Sequence, residues 1–121
     1  MDIIDIAEEY YTLLGKKDAS GVAKYLHEDV LCISPVDEVR GKRALLGVIK
    51  NFVSSFNSLN IRNKFCSENQ AVVVFDLNFP EPIGKLRSVS LVTFEDGLIK
   101  QLELFYDSGQ IAERTKKEIC S

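Results

Sequence analysis

Apolar residues recur at helical intervals in three segments of the N-terminal half of the chain. The first segment presents an apolar face made of Ile3, Ala7, Tyr10 and Leu14. Gly15 can end this helix, and Asp18 can cap a second, short helix. The apolar side of the second helix holds Val22, Tyr25 and Leu26. A third helix begins at Gly41, and its wide apolar face consists of Leu45, Val48, Ile49, Phe52, Val53 and Phe56.

Strand-like runs fill most of the remaining sequence. One strand is predicted from Asp29 to Ser34, where Pro35 ends it. Four more follow the third helix, from Leu59 to Cys66, Ala71 to Phe79, Leu86 to Phe94 and Leu98 to Tyr106. The turn signal Glu95-Asp96-Gly97 joins the last two as a hairpin. Helices first and hairpins later indicate an α+β fold, with helices on one face of a curved antiparallel or mixed sheet. The tail from Gln110 to Glu118 could form a polar helix.

Length and composition narrow the class of protein. The chain has 121 residues, 45% hydrophobic and 27% charged, which predicts one globular domain spanning residues 1–121. Its formal net charge is -3 and its basic residues are scattered, so a nucleic-acid partner is not expected. No apolar run approaches the roughly 18 residues that a membrane span requires. Three cysteines without paired spacing favour a reducing compartment, and a cytoplasmic location is predicted.

The sequence does not suggest a cofactor or a metal. His27 is the only histidine, and no cysteine or acid stands at ligand spacing from it. There is no glycine-rich phosphate loop and no dinucleotide fingerprint. We therefore expect a protein that works with its own side chains.

The order of elements and several local motifs resemble the nuclear transport factor 2-like superfamily, and its SnoaL-like members in particular. The motifs are Tyr10-Tyr11 with Leu14, Asp29-Val30, Ser34-Pro35, the run from Gly41 to Leu46, the run from Phe94 to Ile99, and the run from Leu104 to Asp107. The resemblance extends from Ile3 to about Asp107. It implies a cone-shaped curved sheet, three N-terminal helices packed on its concave face, and a small pocket between them.

Within that superfamily, ketosteroid isomerase offers the sharpest comparison. The resemblance places the isomerase's oxyanion-hole tyrosine on Tyr10, its catalytic base on Ser34 and its second oxyanion donor on Ser90. A serine cannot replace either carboxyl, so the isomerase mechanism is not expected. The Arg-x-Asp of the limonene epoxide hydrolases is incomplete, because Val89 stands two residues after Arg87.

The resemblance also implies which residues line the pocket. The predicted lining residues are Tyr10, Leu14, Val30, Cys32, Ser34, Phe52, Phe56, Ser90, Val92 and Tyr106. Most of them would serve equally well in an ordinary hydrophobic core. The Tyr10 hydroxyl could donate to a bound ligand, or it could satisfy a backbone group as buried tyrosines commonly do.

Two carboxylates remain candidates for acid–base chemistry. Asp107 corresponds most nearly to the late-strand acid of the polyketide cyclases, but its position beside Ser108 and Gly109 favours a cap of the following turn. Asp76 alternates with apolar neighbours, so the face on which it lies depends on strand parity and on any bulge. If Asp76 points inward, it could pair with Arg87 or act as an acid.

Two functional hypotheses follow. In the first, the domain binds an apolar or mixed small molecule, with possible isomerase, cyclase or lyase chemistry. In the second, it is a non-catalytic dimerisation or protein-interaction module whose interior is filled by Phe52, Phe56 and Tyr106. If Val74 and its neighbours line the cavity, then Val73, Phe75, Leu77 and Phe79 form an exposed apolar stripe, and we expect a homodimer through the sheet.

Overall fold

The computed structural model describes residues 2–109, which form three helices and six strands. Along the chain these are α1 (Ile3–Gly15), α2 (Ala19–Ala23), β1 (Leu26–Ile33), β2 (Glu38–Arg40), α3 (Lys42–Phe52), β3 (Ser58–Ser67), β4 (Gln70–Asn78), β5 (Lys85–Glu95) and β6 (Leu98–Phe105). The predicted helix from Gln110 to Glu118 lies outside the described residues. The α+β class is confirmed.

The six strands form one mixed sheet in the order β2-β1-β6-β5-β4-β3. Strand β1 pairs parallel with β6, and the other neighbouring pairs are antiparallel. The parallel pair is possible because α3 and the β3–β5 meander lie between these two strands in sequence. Strand β2 was not predicted, because its three residues are too few to show an alternating pattern.

Most predicted strand ends differ from the structure by one residue, and two boundaries differ by several residues for local reasons. Strand β1 begins at Leu26, which the sequence analysis assigned to the second helix, because Leu26 pairs with Ile99 of β6. Helix α3 ends at Phe52 and does not reach Phe56. There the Ser54 and Ser55 hydroxyls donate to the carbonyls of Asn51 (2.7 Å) and Phe52 (2.6 Å), and such local hydrogen bonds compete with helix continuation.

Strand β4 places its larger apolar residues on the side of the helices. Val73, Phe75 and Leu77 are buried, and the Phe75 ring lies 4.7 Å from the Tyr11 ring of α1. The exposed stripe that the sequence analysis considered for these residues is therefore wrong. The opposite face of the sheet carries Val72 and Val74 instead, since successive side chains of a strand point to opposite faces.

Helix α1 contacts β3 and β4, whereas α3 contacts β1 and β2. Between them, Tyr10 and Tyr11 pack edge to face with ring centroids 4.9 Å apart. Lys17, which follows α1, donates its ammonium to the Phe56 carbonyl at 2.7 Å and so joins the ends of the two helical segments. Within residues 2–109, no helix has both the length and the hydropathy of a membrane-spanning segment.

Helix α2 depends on its N-terminal cap, and this gives a test of the local fold. The Asp18 carboxylate accepts a hydrogen bond from Gly21 N at 2.8 Å, so Asp18→Ala should lower the free energy of unfolding by about 1 kcal/mol. Asp2 stands at the same position of α1 but makes no such side-chain hydrogen bond. Asp2→Ala is therefore the matched control and should change stability little. Urea denaturation measures both; equal losses would contradict the assignment of the cap.

Candidate functional site

A cavity of about 330 Å³ lies among α1, α3 and the strands that face them. Helix α1 contributes Tyr10, Tyr11 and Leu14, and α3 contributes Leu45, Val48, Ile49 and Phe52. From the sheet come Phe75 and Leu77 of β4, Leu86 and Ser88 of β5, and Leu102 and Leu104 of β6. Almost all of this lining is apolar, which is typical of small-molecule sites.

Several of the residues predicted to line a pocket do line this cavity. They are Tyr10, Leu14, Cys32, Ser34, Phe52 and Tyr106. Phe52 and Tyr106 form part of the wall and leave the interior open. The sequence analysis considered an interior filled by aromatic rings, but these two rings line the cavity and do not fill it.

The other predicted lining residues lie elsewhere in the core. Val30 and Val92 are fully buried by neighbouring side chains, as is Ser90, and none of them belongs to the cavity wall. Phe56 is also buried but lies beyond the end of α3, where the Lys17 ammonium is 5.2 Å from its ring centroid. The resemblance to the isomerase placed Ser90 on the correct face of β5, but the cavity meets that face two residues earlier, at Ser88.

Tyr10 combines burial with an unused hydroxyl. Its side chain is buried, and the described part of the chain holds no hydrogen-bond partner for its hydroxyl. Burial, with smaller contributions from Tyr11 and Cys32, raises the pKa of Tyr10 well above its ordinary value. The hydroxyl therefore stays protonated at neutral pH and can donate a hydrogen bond into the cavity.

Tyr11, which the sequence analysis did not single out as a lining residue, lies beside Tyr10 and Ser90. Burial raises its pKa, and the neighbouring Ser90 hydroxyl partly offsets this effect. The contact is loose, because Ser90 Oγ has no hydrogen bond of good geometry among residues 2–109. Tyr11 is therefore a neutral residue that lies next to Ser90 without a well-formed hydrogen bond to it.

The two carboxylates proposed from the sequence lie outside the cavity wall. Asp107 is exposed at the end of β6, and its Oδ1 accepts a hydrogen bond from Gly109 N at 3.0 Å, as a turn cap does. Asp76 lies on the opposite face of the sheet. There its Oδ2 is 3.7 Å from Arg62 Nε, and its Oδ1 is 3.7 Å from Arg87 Nε. The regular β4–β5 register sets this parity, because Asp76 pairs with Arg87 without a bulge.

The carboxylate that does border the cavity is Asp37, which the sequence analysis missed. Asp37 is exposed, and it belongs to the turn that follows Ser34. Ser34 Oγ accepts from Asp37 N (3.1 Å) and donates to the Asp37 carbonyl (3.2 Å). The Ser34 hydroxyl is therefore engaged in holding the turn. Only the folded turn brings Asp37 to the rim, so no periodic pattern could have identified it.

Nothing in the described part of the chain is arranged as a metal site. No group of three or more His, Cys, Asp or Glu residues is placed to hold a metal ion. His27 lies at the start of β1, where its Nε2 is 3.6 Å from Glu95 Oε2.

Comparison with known proteins now assigns the family. A family model for the SnoaL-like domain matches residues 7–102. The chain belongs to the SnoaL-like domain family. The matched segment extends from α1 to β6 and contains most of the cavity wall, including Tyr10, Cys32 and Ser88. No curated protein sequence matches this SnoaL-like domain.

Several solved structures share this fold, and some of them are described as NTF2-like proteins. The domain is similar to a protein from Kribbella flavida, with a TM-score of 0.89 and 17% identity over 98% of this chain and 97% of that one. It is also similar to an NTF2-like protein from Cytophaga hutchinsonii, with a TM-score of 0.83 and 17% identity over 93% of this chain and 96% of that one. A third similar structure is a steroid delta-isomerase from Pseudomonas aeruginosa, with a TM-score of 0.73 and 18% identity over 97% of this chain and 93% of that one. At these identities the likeness establishes the fold alone.

The rate at which Cys32 is alkylated tests whether the cavity wall is shielded from solvent. Burial raises the pKa of Cys32 to about 11, so the thiol is protonated at neutral pH and is a weak nucleophile. Iodoacetamide should label Cys32 much more slowly than the exposed Cys66, and the rate at Cys32 should rise as pH approaches 11. Peptide mass spectrometry measures both sites in one sample. Equal labelling at neutral pH would contradict the account.

Proposed function

We propose that this SnoaL-like domain binds a small apolar or mixed molecule in the cavity. In this proposal the sheet curves as a cone, the helices cover its concave face, and the cavity is the interior hollow. The observation that carries the proposal is an open, almost entirely apolar space of about 330 Å³, within the range of about 300–1,000 Å³ found for ligand sites. Burying an apolar ligand there would be favoured by the hydrophobic effect.

The hydroxyl of Tyr10 is proposed to orient the ligand. It is a buried, neutral donor that has no partner in residues 2–109, whereas the Ser34 hydroxyl is engaged with Asp37. A hydrogen bond from Tyr10 to a ligand oxygen would satisfy a group that burial has already removed from water. Ser34 would then shape the rim of the site and would not bind the ligand directly.

The arrangement favours binding over steroid-type isomerisation. A general base must lie within hydrogen-bond reach of the proton that it abstracts. Asp76 and Asp107 lie outside the wall, and Asp37 lies at its exposed rim. Chemistry by a buried carboxylate is therefore not part of the proposal, and any acid–base turnover would have to use Asp37.

The role of Tyr10 can be tested by removing its hydroxyl alone. In a thermal-shift and calorimetric screen of neutral ketones and lactones, the domain should bind some members. Tyr10→Phe should weaken that binding about two- to tenfold, which is the worth of one hydrogen bond. Tyr25→Phe is the matched control, because Tyr25 packs against the core without reaching the cavity. Binding that is equal in both variants would remove Tyr10 from the site, and no binding by any compound would refute the proposal.

A second proposal concerns the face of the sheet that points away from the helices. Here Val72 and Val74 of β4 lie next to Leu91 and Val89 of β5. At the margins, Phe65 is 58% exposed and Phe105 is 49% exposed. Monomeric proteins seldom expose large contiguous apolar patches. An apolar patch is complementary to itself, so a second copy related by a two-fold axis can cover it.

The dimer proposal predicts a specific effect of a charge on this face. Leu91→Lys should convert the protein to a monomer, since desolvating an unpaired ammonium at the centre of an interface is strongly unfavourable. Asn51→Lys places the same charge on the exposed side of α3 and should leave the oligomeric state unchanged. Sedimentation equilibrium at micromolar concentration distinguishes the two. A monomeric unmodified protein would contradict the proposal.

A further inference from the structure

The cavity wall contains very few ionisable side chains. Among the described residues no Lys, Arg or His lines the cavity, and its one carboxylate, Asp37, is exposed at the rim. The other polar groups of the wall are the hydroxyls of Tyr10, Tyr11, Ser34, Ser88 and Tyr106 and the thiol of Cys32, so the interior is electrically neutral. An anion entering it would lose its hydration without meeting a cation, and it would also pass Asp37.

Ser88 is a second polar group of this wall, besides Tyr10, that the described part of the chain leaves without a hydrogen-bond partner. It lies on β5 directly opposite Phe75 of β4, on the face that packs under the helices. The residue is 3% exposed, and its Oγ has no hydrogen-bond partner among residues 2–109. A buried hydroxyl without a partner destabilises a folded protein, so such groups usually have a compensating role.

We propose that Ser88 is a specificity-determining residue that selects uncharged ligands bearing a carbonyl or hydroxyl oxygen. This inference rests on the proposed binding function and specifies its ligand class. Ser88 Oγ donates to the ligand oxygen from the β4–β5 floor, while the aromatic and aliphatic wall encloses the apolar body. Carboxylates of the same shape are rejected, because the interior offers them hydroxyls but no positive charge.

The energetic argument depends on the state of Ser88 before the ligand arrives. A typical hydrogen bond contributes little net free energy, because both partners exchange it for bonds to water. Ser88 Oγ is buried and has no partner to give up, so only the ligand oxygen loses water on binding. A ligand oxygen at this position should therefore improve affinity relative to a hydrocarbon of the same shape.

Three naphthalene derivatives of nearly equal shape test the proposal: 2-acetylnaphthalene, 2-isopropylnaphthalene and 2-naphthoate. At neutral pH the protein should bind the ketone and the hydrocarbon, and it should bind the carboxylate much more weakly than either. Titration calorimetry gives the three dissociation constants. If the carboxylate binds as tightly as the ketone, the selectivity is refuted, although binding in the cavity survives. If none of the three binds, the binding function itself is contradicted.

Two serine variants separate a role in recognition from a role in structure. Ser88→Ala should reduce the ketone-to-hydrocarbon preference by about two- to tenfold and leave hydrocarbon binding unchanged. Ser90→Ala is the matched control, because Ser90 is buried on the same face of β5 but lies outside the wall. It should retain the preference.

The melting temperatures of the free proteins provide the second measurement. Ser88→Ala should be as stable as the unmodified protein or more so, because it removes a buried hydroxyl that has no partner among residues 2–109. A large loss of stability in Ser88→Ala would show that the hydroxyl is structural and would overturn the proposal. So would an unchanged ketone-to-hydrocarbon preference in that variant.

Discussion

The register between β4 and β5 is the constraint on which the rest of the structure depends. Phe75 pairs with Ser88 and Leu77 with Leu86, so all four side chains fall on the face beneath the helices. A slip of one residue would turn them outward and bring Asp76 and Arg87 under α1 and α3. Burying Arg87, whose side chain is 68% exposed in the observed register, would be costly. The ion pairs of Asp76 with Arg62 and Arg87 on the opposite face therefore help to specify the register.

This single register gives the sheet two chemically different faces. One face supplies an apolar floor with an occasional hydroxyl, which meets the tyrosines of α1. Burial keeps Tyr10 and Tyr11 protonated, so the enclosed space contains hydrogen-bonding groups without charge. In such surroundings a hydrogen bond is stronger than in water, and an unmatched polar group is more costly. The other face is apolar at its centre and charged near Asp76, which suits contact with another protein surface.

Much of the fold could be predicted because helix and strand periods appear in the sequence wherever one face is buried. The parity of β4 could not, because both faces of the run Ala71–Phe75 are apolar and periodicity does not distinguish them. The bulge between Ile61 and Asn63 of β3 adds a further shift that has no local sequence signal. Ser88 could have been found from the predicted position of Ser90, since residues two apart share a face. Asp37 required the three-dimensional turn at Ser34.

The central claim is that ligands enter the space between the helices and the sheet. Methyl-resolved NMR during titration with an uncharged aromatic ketone tests it most directly. The account predicts that resonances of Leu14, Ile49, Leu102 and Leu104, which line the cavity, shift with the added compound. Those of Val72, Val74 and Leu91 on the opposite face should stay in place. Shifts confined to the latter set, or no shifts at all, would contradict the account.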